Sequence, residues 1–142
     1  MERKAREIMT ANVITTKPDV LVISAIKALI KNHISGMPVV DDEGKLIGII
    51  TEHDIVNFML SGDAADTTVS DVMTKNVDTY DPDTPFEEIV SHFAAYRNRR
   101  VPVVENGKVV GIISRRDIII EMNKIYDQLV MTPDTERGHE ES

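Results

Sequence analysis

Two stripes of apolar residues recur along the chain at helical spacing. Val22, Ala25, Ile26, Leu29 and Ile30 fall at i, i+3, i+4, i+7 and i+8, and Phe86, Ile89, Val90, Phe93 and Ala94 repeat that spacing 64 residues later. Each stripe predicts an amphipathic helix with one face in a core. Thr84-Pro85-Phe86-Glu87 offers the second helix an N-cap, a proline at its first position and a capping-box glutamate. Two short apolar runs around a polar turn follow each helix. Residues 37–40 and 46–50 flank Asp41-Asp42-Glu43-Gly44, and residues 101–104 and 109–113 flank Glu105-Asn106-Gly107. Such β-branched runs bounded by Gly and Asp predict the buried strands of a hairpin. A further helix then carries Ile55, Val56 and Met59, or Ile118, Ile119 and Met122. With a strand leading each unit, the order is β-α-β-β-α, an α+β class.

The unit occurs twice. Residues 7–15 align with 71–79 at an offset of 64, with five of nine positions identical, and Pro18-Asp19 and Pro38-Val39-Val40 recur as Pro82-Asp83 and Pro102-Val103-Val104. After a one-residue deletion in the turn, residues 44–55 align with 107–118, with seven of twelve identical. A unit of about 60 residues buries too little surface to be comfortable alone, so two copies packed with pseudo-twofold symmetry are expected to share a core. The expected division is repeat one at 1–64, repeat two at 65–131, and a disordered acidic tail at 132–142 that has no apolar period. Ser61-Gly62-Asp63-Ala64-Ala65-Asp66 is the polar junction.

Composition narrows the function. The 142 residues hold 16 Lys+Arg against 24 Asp+Glu, a net charge of −8, and no cysteine. There is no thiolate metal site or disulfide framework, and a reducing, cytoplasmic setting is expected. No apolar run approaches the ~20 residues of a membrane span. An acidic chain is also a poor general binder of nucleic acid, because phosphate neutralisation needs a basic footprint. Five of the eight arginines, Arg97, Arg99, Arg100, Arg115 and Arg116, nevertheless gather in two short segments, where guanidinium forks suit phosphate. Because hairpin partners run antiparallel, Arg99-Arg100 and Arg115-Arg116 are expected on opposite sides of the sheet.

The informative stretches are Gly48-Ile49-Ile50-Thr51-Glu52-His53-Asp54 and Gly111-Ile112-Ile113-Ser114-Arg115-Arg116-Asp117. A glycine within a strand marks the close approach of another backbone or a ligand. A hydroxyl residue followed three later by Asp reads first as a helix cap. Amide groups at a helix N-terminus also accept phosphate, and an aspartate one turn on can take the hydroxyls of a ribose, as in dinucleotide folds. The two readings are compatible. Catalysis finds no constellation: His33, His53, His92 and His139 sit at unrelated repeat positions, and no nucleophile elbow or P-loop occurs. Among them, His53 lies where a phosphate contact is conceivable. Met9 and Met73, at matching positions, read as core packing.

The repeated pattern, Met-Thr-x-Asn-Val, then Pro-Asp, Pro-Val-Val and Gly-Lys-x-x-Gly-Ile-Ile-(Thr/Ser)-x-x-Asp-Ile, resembles the CBS domain, and two in tandem resemble a CBS pair, or Bateman module, over residues 5–128. The resemblance implies a non-catalytic sensor that binds AMP, ADP or ATP in two clefts between the repeats, with no other cofactor. It implies a first cleft joining Thr10, Ile14, Ile34, Ser35, Met37 and Pro38 to Ile112, Ser114 and Asp117. A second would join Thr74, Asp78, Arg99, Val101 and Pro102 to Ile49, Thr51 and Asp54. Asp54 and Asp117 would hold ribose, with Arg99, Arg100 and Arg116 as candidates for phosphate. Asp78 stands where the first cleft has Ile14, so unequal affinities are expected. A homodimer of pairs and a regulated enzyme or transporter are the implied partners. The alternative is a protein-interaction module with its clefts empty or holding S-adenosylmethionine or Mg2+.

Overall fold

The computed structural model describes residues 3–61, 65–96 and 100–130. In chain order its elements are α1 (Ala5–Ile8), α2 (Val22–Asn32), β1 (Gly36–Val40), β2 (Leu46–Thr51), α3 (Glu52–Ser61), α4 (Val69–Val72), α5 (Phe86–Ala95), β3 (Arg100–Glu105), β4 (Lys108–Ser114) and α6 (Arg115–Val130). The expected acidic tail lies outside the described residues. Each repeat forms one antiparallel hairpin, β1 with β2 and β3 with β4, in equivalent registers: Gly36 faces Thr51 and Arg100 faces Ser114. In the second hairpin Asn106 and Gly107 have φ of 56° and 82°, the pair of positive values that a two-residue type I′ turn requires. The first turn is one residue longer. There the Asp41 carboxylate accepts the Glu43 and Lys45 amides, both at 2.9 Å.

The strand expected to open each repeat is reduced to a pair of bridges. Thr10 exchanges amide hydrogen bonds with Ile112 of the other hairpin, and six residues on Thr16 does so with the Pro38–Val40 stretch of its own. Thr74 with Ile49 and Tyr80 with residues 102–104 repeat this across the pseudo-twofold relation. The segment leaves one sheet for the other within half a dozen residues, so it never builds a ladder. The expected cap of α5 also differs. Pro85 is the N-cap rather than the first helical residue, Thr84 Oγ1 instead accepts the Asp81 amide, and the Phe86 amide donates to the Arg3 carbonyl.

That last bond belongs to an exchange between the repeats. Ala5 and Ile8 of α1 are buried with Tyr80, Phe86, Ile89, Val101, Val103 and Ile113, all of repeat two. Conversely Val69 of α4 is buried with Ala25, Leu29, Met37, Val39 and Ile50 of repeat one. The sequence repeats are therefore not the packing units. Each hydrophobic core is closed by the leading helix of the other repeat, and this is where much of the apolar burial that stabilises a small domain is made.

Candidate functional site

Both hairpins end in the same constellation. The Thr51 amide and hydroxyl donate to Asp54 Oδ2 at 2.9 and 3.0 Å, and the Asp54 amide donates back to Thr51 Oγ1 at 3.3 Å. This reciprocal pair is a capping box for α3. The other carboxylate oxygen, Oδ1, accepts the Thr74 hydroxyl of repeat two at 2.9 Å. In the second copy Ser114 donates twice to Asp117 Oδ2, at 2.8 and 3.1 Å, and the Thr10 hydroxyl of repeat one reaches Oδ1 at 3.3 Å. Capping thus orients each aspartate while an inter-repeat hydroxyl occupies its second oxygen. A carboxylate held this way retains lone pairs to accept hydroxyl donors.

Around Asp54 the repeats enclose a cavity of about 710 Å³, walled by Ser35, Gly36, Ile49, Thr51, Glu52 and His53 of repeat one and by Thr74, Asn76, Val77, Asp78 and Arg100 of repeat two. Ile49, Thr51, Thr74 and Asp78, four residues expected in the second cleft, line this cavity. Ser35 was expected in the first cleft. An antiparallel hairpin puts the start of one strand beside the end of the next, so Gly36 faces Thr51 and Ser35 joins the Asp54 side. The same register corrects the expected separation of the arginine pairs: Arg100 faces Ser114, at the end of the sheet from which Arg115 and Arg116 depart. From there the Arg100 side chain crosses to repeat one, where Nε donates to Ser35 Oγ at 3.0 Å. Burial pulls its guanidinium pKa down, while Asp117 and Glu52 push the other way.

Other expected site residues fall elsewhere. Met37 and Val101 are core residues, and Pro38 and Pro102 are likewise fully buried. β1 and residues 101–103 of β3 are buried, so these four side chains are corrected from cleft wall to packing. Ile34 packs against the repeat-one core and lines a neighbouring groove between α2 and α3. On the Asp117 side, by contrast, Ile112 is buried and bridged to Thr10, with Ile14 41% exposed and Arg116 exposed. Arg99 lies outside the described residues. Glu52, Asn76 and Val77 line the cavity but were not singled out. Asn76-Val77 recurs as Asn12-Val13, and that identity was the available signal.

His92 ties Asp78 to the core. Its Nδ1 lies 2.7 Å from the Tyr80 hydroxyl and its Nε2 3.3 Å from Asp78 Oδ2. A carboxylate only accepts, so Nε2 carries the proton and, in the neutral ring, Nδ1 accepts from Tyr80. Burial, with Asp78 and Glu88 nearby, raises the Tyr80 phenol pKa, which keeps the hydroxyl a donor.

Two repeats that close each other's cores and carry mirrored hydroxyl–aspartate constellations where they meet define a tandem module. The family profile of the CBS domain matches residues 5–61 and 69–124, and the chain belongs to the CBS domain family. Among solved structures, the CBS domain pair of protein MJ0100 in complex with 5′-methylthioadenosine and S-adenosyl-L-methionine is 32% identical, with a TM-score of 0.78 over 87% of this chain and 98% of that one. CBSX2 from Arabidopsis thaliana, solved in complex with AMP, is 25% identical, with a TM-score of 0.78 and the same coverage. An inosine-5′-monophosphate dehydrogenase of Methanocaldococcus jannaschii is 40% identical over 118 residues, 82% of this chain and 23% of the enzyme. The protein MJ1225 of that organism is 34% identical over 80% of this chain and 41% of its own length. The chain thus spans less than half of these two relatives. No helix among the described residues is long and apolar enough to cross a membrane.

Proposed function

We propose that the chain is a non-catalytic regulatory module that binds an adenine nucleotide in the clefts between its repeats, and that it regulates an enzyme or transporter. The observation that carries this reading is the pair of inter-repeat contacts Thr74–Asp54 and Thr10–Asp117. A ligand whose ribose hydroxyls engage the aspartate shares Oδ1 with a hydroxyl of the opposite repeat, so occupancy bears directly on how the repeats sit together. Its effect is then a population shift set by differential affinity for the two arrangements. The AMP, 5′-methylthioadenosine and S-adenosyl-L-methionine complexes of the related pairs support an adenosine ligand.

The test is calorimetric titration with AMP, ADP and ATP on the full chain and on Asp117→Ala. The substitution removes one cap, worth about 1 kcal/mol, and should leave the fold intact while weakening nucleotide binding at least tenfold. Unchanged affinity for every adenine nucleotide would overturn the assignment of the first cleft.

A second reading has its own observation. Val56, Met59 and Leu60 of α3 and Ile119, Met122, Tyr126 and Leu129 of α6 are exposed, so apolar helix faces stand ready to dock a partner. We assign these faces to a homodimer of pairs. A module that only docks, with clefts empty or holding S-adenosylmethionine or Mg2+, would show no rise in melting temperature with nucleotide, whereas ligand bound only to the folded state must raise it.

A further inference from the structure

The two clefts are related by the repeat symmetry but not by charge. Around the second cleft stand Glu52, Asp54 and Asp78, and Arg100 is the one Lys or Arg among the described residues that line it. The repeat alignment carries the polar wall positions to the Asp117 side: Thr51 to Ser114, Glu52 to Arg115, His53 to Arg116, Asp54 to Asp117, Thr74 to Thr10, Asn76 to Asn12 and Asp78 to Ile14, while Arg100 itself corresponds to Gly36. The hydrogen bonds preserve that equivalence at Asp54 and Asp117, and Glu52, His53, Arg115 and Arg116 are all exposed. One acidic position thus becomes Arg, another becomes Ile, and a histidine becomes Arg. Arg100 also has its backbone at the first cleft, opposite Ser114.

The geometry points to clefts that sort adenosine compounds by charge, the first taking a 5′-phosphorylated adenosine and the second an adenosine compound whose 5′ substituent carries no negative charge. This rests on the adenosine reading above and deepens it. A phosphate monoester brings a charge of about −1.5 to −2 at neutral pH. At the first cleft it meets Arg115 and Arg116 where the second cleft offers Glu52 and His53. Asp78, held by His92 at 3.3 Å, adds a further carboxylate at the wall of the second cleft. Charges at exposed positions are screened beyond roughly 10 Å at 0.1 M salt, so the preference should weaken as salt rises.

Calorimetric titrations of AMP and of adenosine against the full chain test this, together with two charge-exchange variants confined to exposed positions. In Glu52→Arg/Asp78→Ile the second cleft acquires the residues of the first, and AMP should tighten there at least tenfold. In Arg115→Glu/Arg116→His the first cleft acquires those of the second, and AMP should weaken at least tenfold with adenosine changed less than twofold. Circular dichroism confirms that both remain folded, and Glu52→Gln and Arg116→Gln repeat the comparison more mildly if either does not. An AMP-to-adenosine ratio that stays constant within twofold across all variants overturns charge sorting and leaves the adenosine reading standing. If the full chain binds neither compound at millimolar concentration, the adenosine reading itself falls and the sorting falls with it.

Discussion

The Met9 side chain of repeat one lies against the backbone of Gly111 in repeat two, so closely that a β-carbon at Gly111 would stand 2.7 Å from Met9 Cγ. Its counterpart repeats the relationship. A β-carbon at Gly48 would lie 2.7 Å from Met73 Sδ and 2.9 Å from the Thr74 carbonyl oxygen. Each strand glycine is therefore a seat for the methionine that precedes the cleft threonine of the opposite repeat.

Replacing either glycine with alanine should destabilise the protein by about 1–3 kcal/mol, the usual cost of overpacking. The Gly48→Ala effect should be the harder to relieve. In Gly111→Ala the far end of the Met9 side chain can rotate away from the added methyl group, leaving Met9 Cβ at 3.0 Å, but the Thr74 carbonyl beside Gly48 is fixed by its hydrogen bond to the Ile49 amide at 2.9 Å. Pairing each variant with Met9→Ala or Met73→Ala in a double-mutant cycle of urea midpoints checks this. Rescue should be substantial at Gly111 and partial at Gly48.

The exchange of leading helices makes the two repeats interdependent. A fragment of residues 65–130 lacks Ala5 and Ile8, both buried in its core, and should show no cooperative thermal transition. In the full chain Ile8→Ala should cost about 2–5 kcal/mol, as large-to-small core substitutions do. A cooperative transition in the isolated fragment, followed by circular dichroism, would contradict this arrangement.

Acid should destabilise the fold through three aspartates, Asp41, Asp71 and Asp83. The Lys45 amide, and after it that of Glu43, holds Asp41 below its ordinary pKa of 3.8; the Thr68 amide does so for Asp71, and the Arg6 guanidinium for Asp83. A depressed folded-state value means the unfolded chain binds protons first on acidification. The stabilisation is complete above about 3.8 and is lost as pH falls through the lower folded values. Melting temperature measured from pH 6 to pH 2.5 should be flat and then drop, and Asp71→Asn should shallow the drop.

If the outward faces of α3 and α6 meet those of a second copy, light scattering should give twice 15.9 kDa. Ile119→Lys with Leu60→Lys, at positions 66% and 82% exposed, should halve that mass without lowering monomer stability, since neither side chain is part of a core. A wild-type mass of one chain at 100 µM would remove the homodimer.

Much of this was legible from residue patterns, for definite reasons. The hairpins follow from β-branched runs and from Asn106-Gly107, whose positive φ values suit a tight turn. α2 and α5 follow from apolar stripes, because their periodicity is set locally. α1 and α4 carry only four residues each, too few for a period to register. A strand opening each repeat does not form as a ladder, because residues 10–16 divide their hydrogen bonds between two sheets, which no local pattern encodes.

The clefts divide the same way. Asp54 and Asp117 could be found in the sequence because a capping box has fixed spacing and both copies repeat it. Membership of the walls could not, since Ser35 belongs with Thr51 through strand register and Arg100 reaches Ser35 across 65 residues of chain. The amino-acid sequence by itself determined two copies of a helix–hairpin–helix unit, their turns and their capped aspartates, because those depend on neighbours a few residues away. Only the tertiary structure decided which repeat completes which core and which charges share a cleft. Those outcomes depend on contacts between segments dozens of residues apart, chosen by burial and register together.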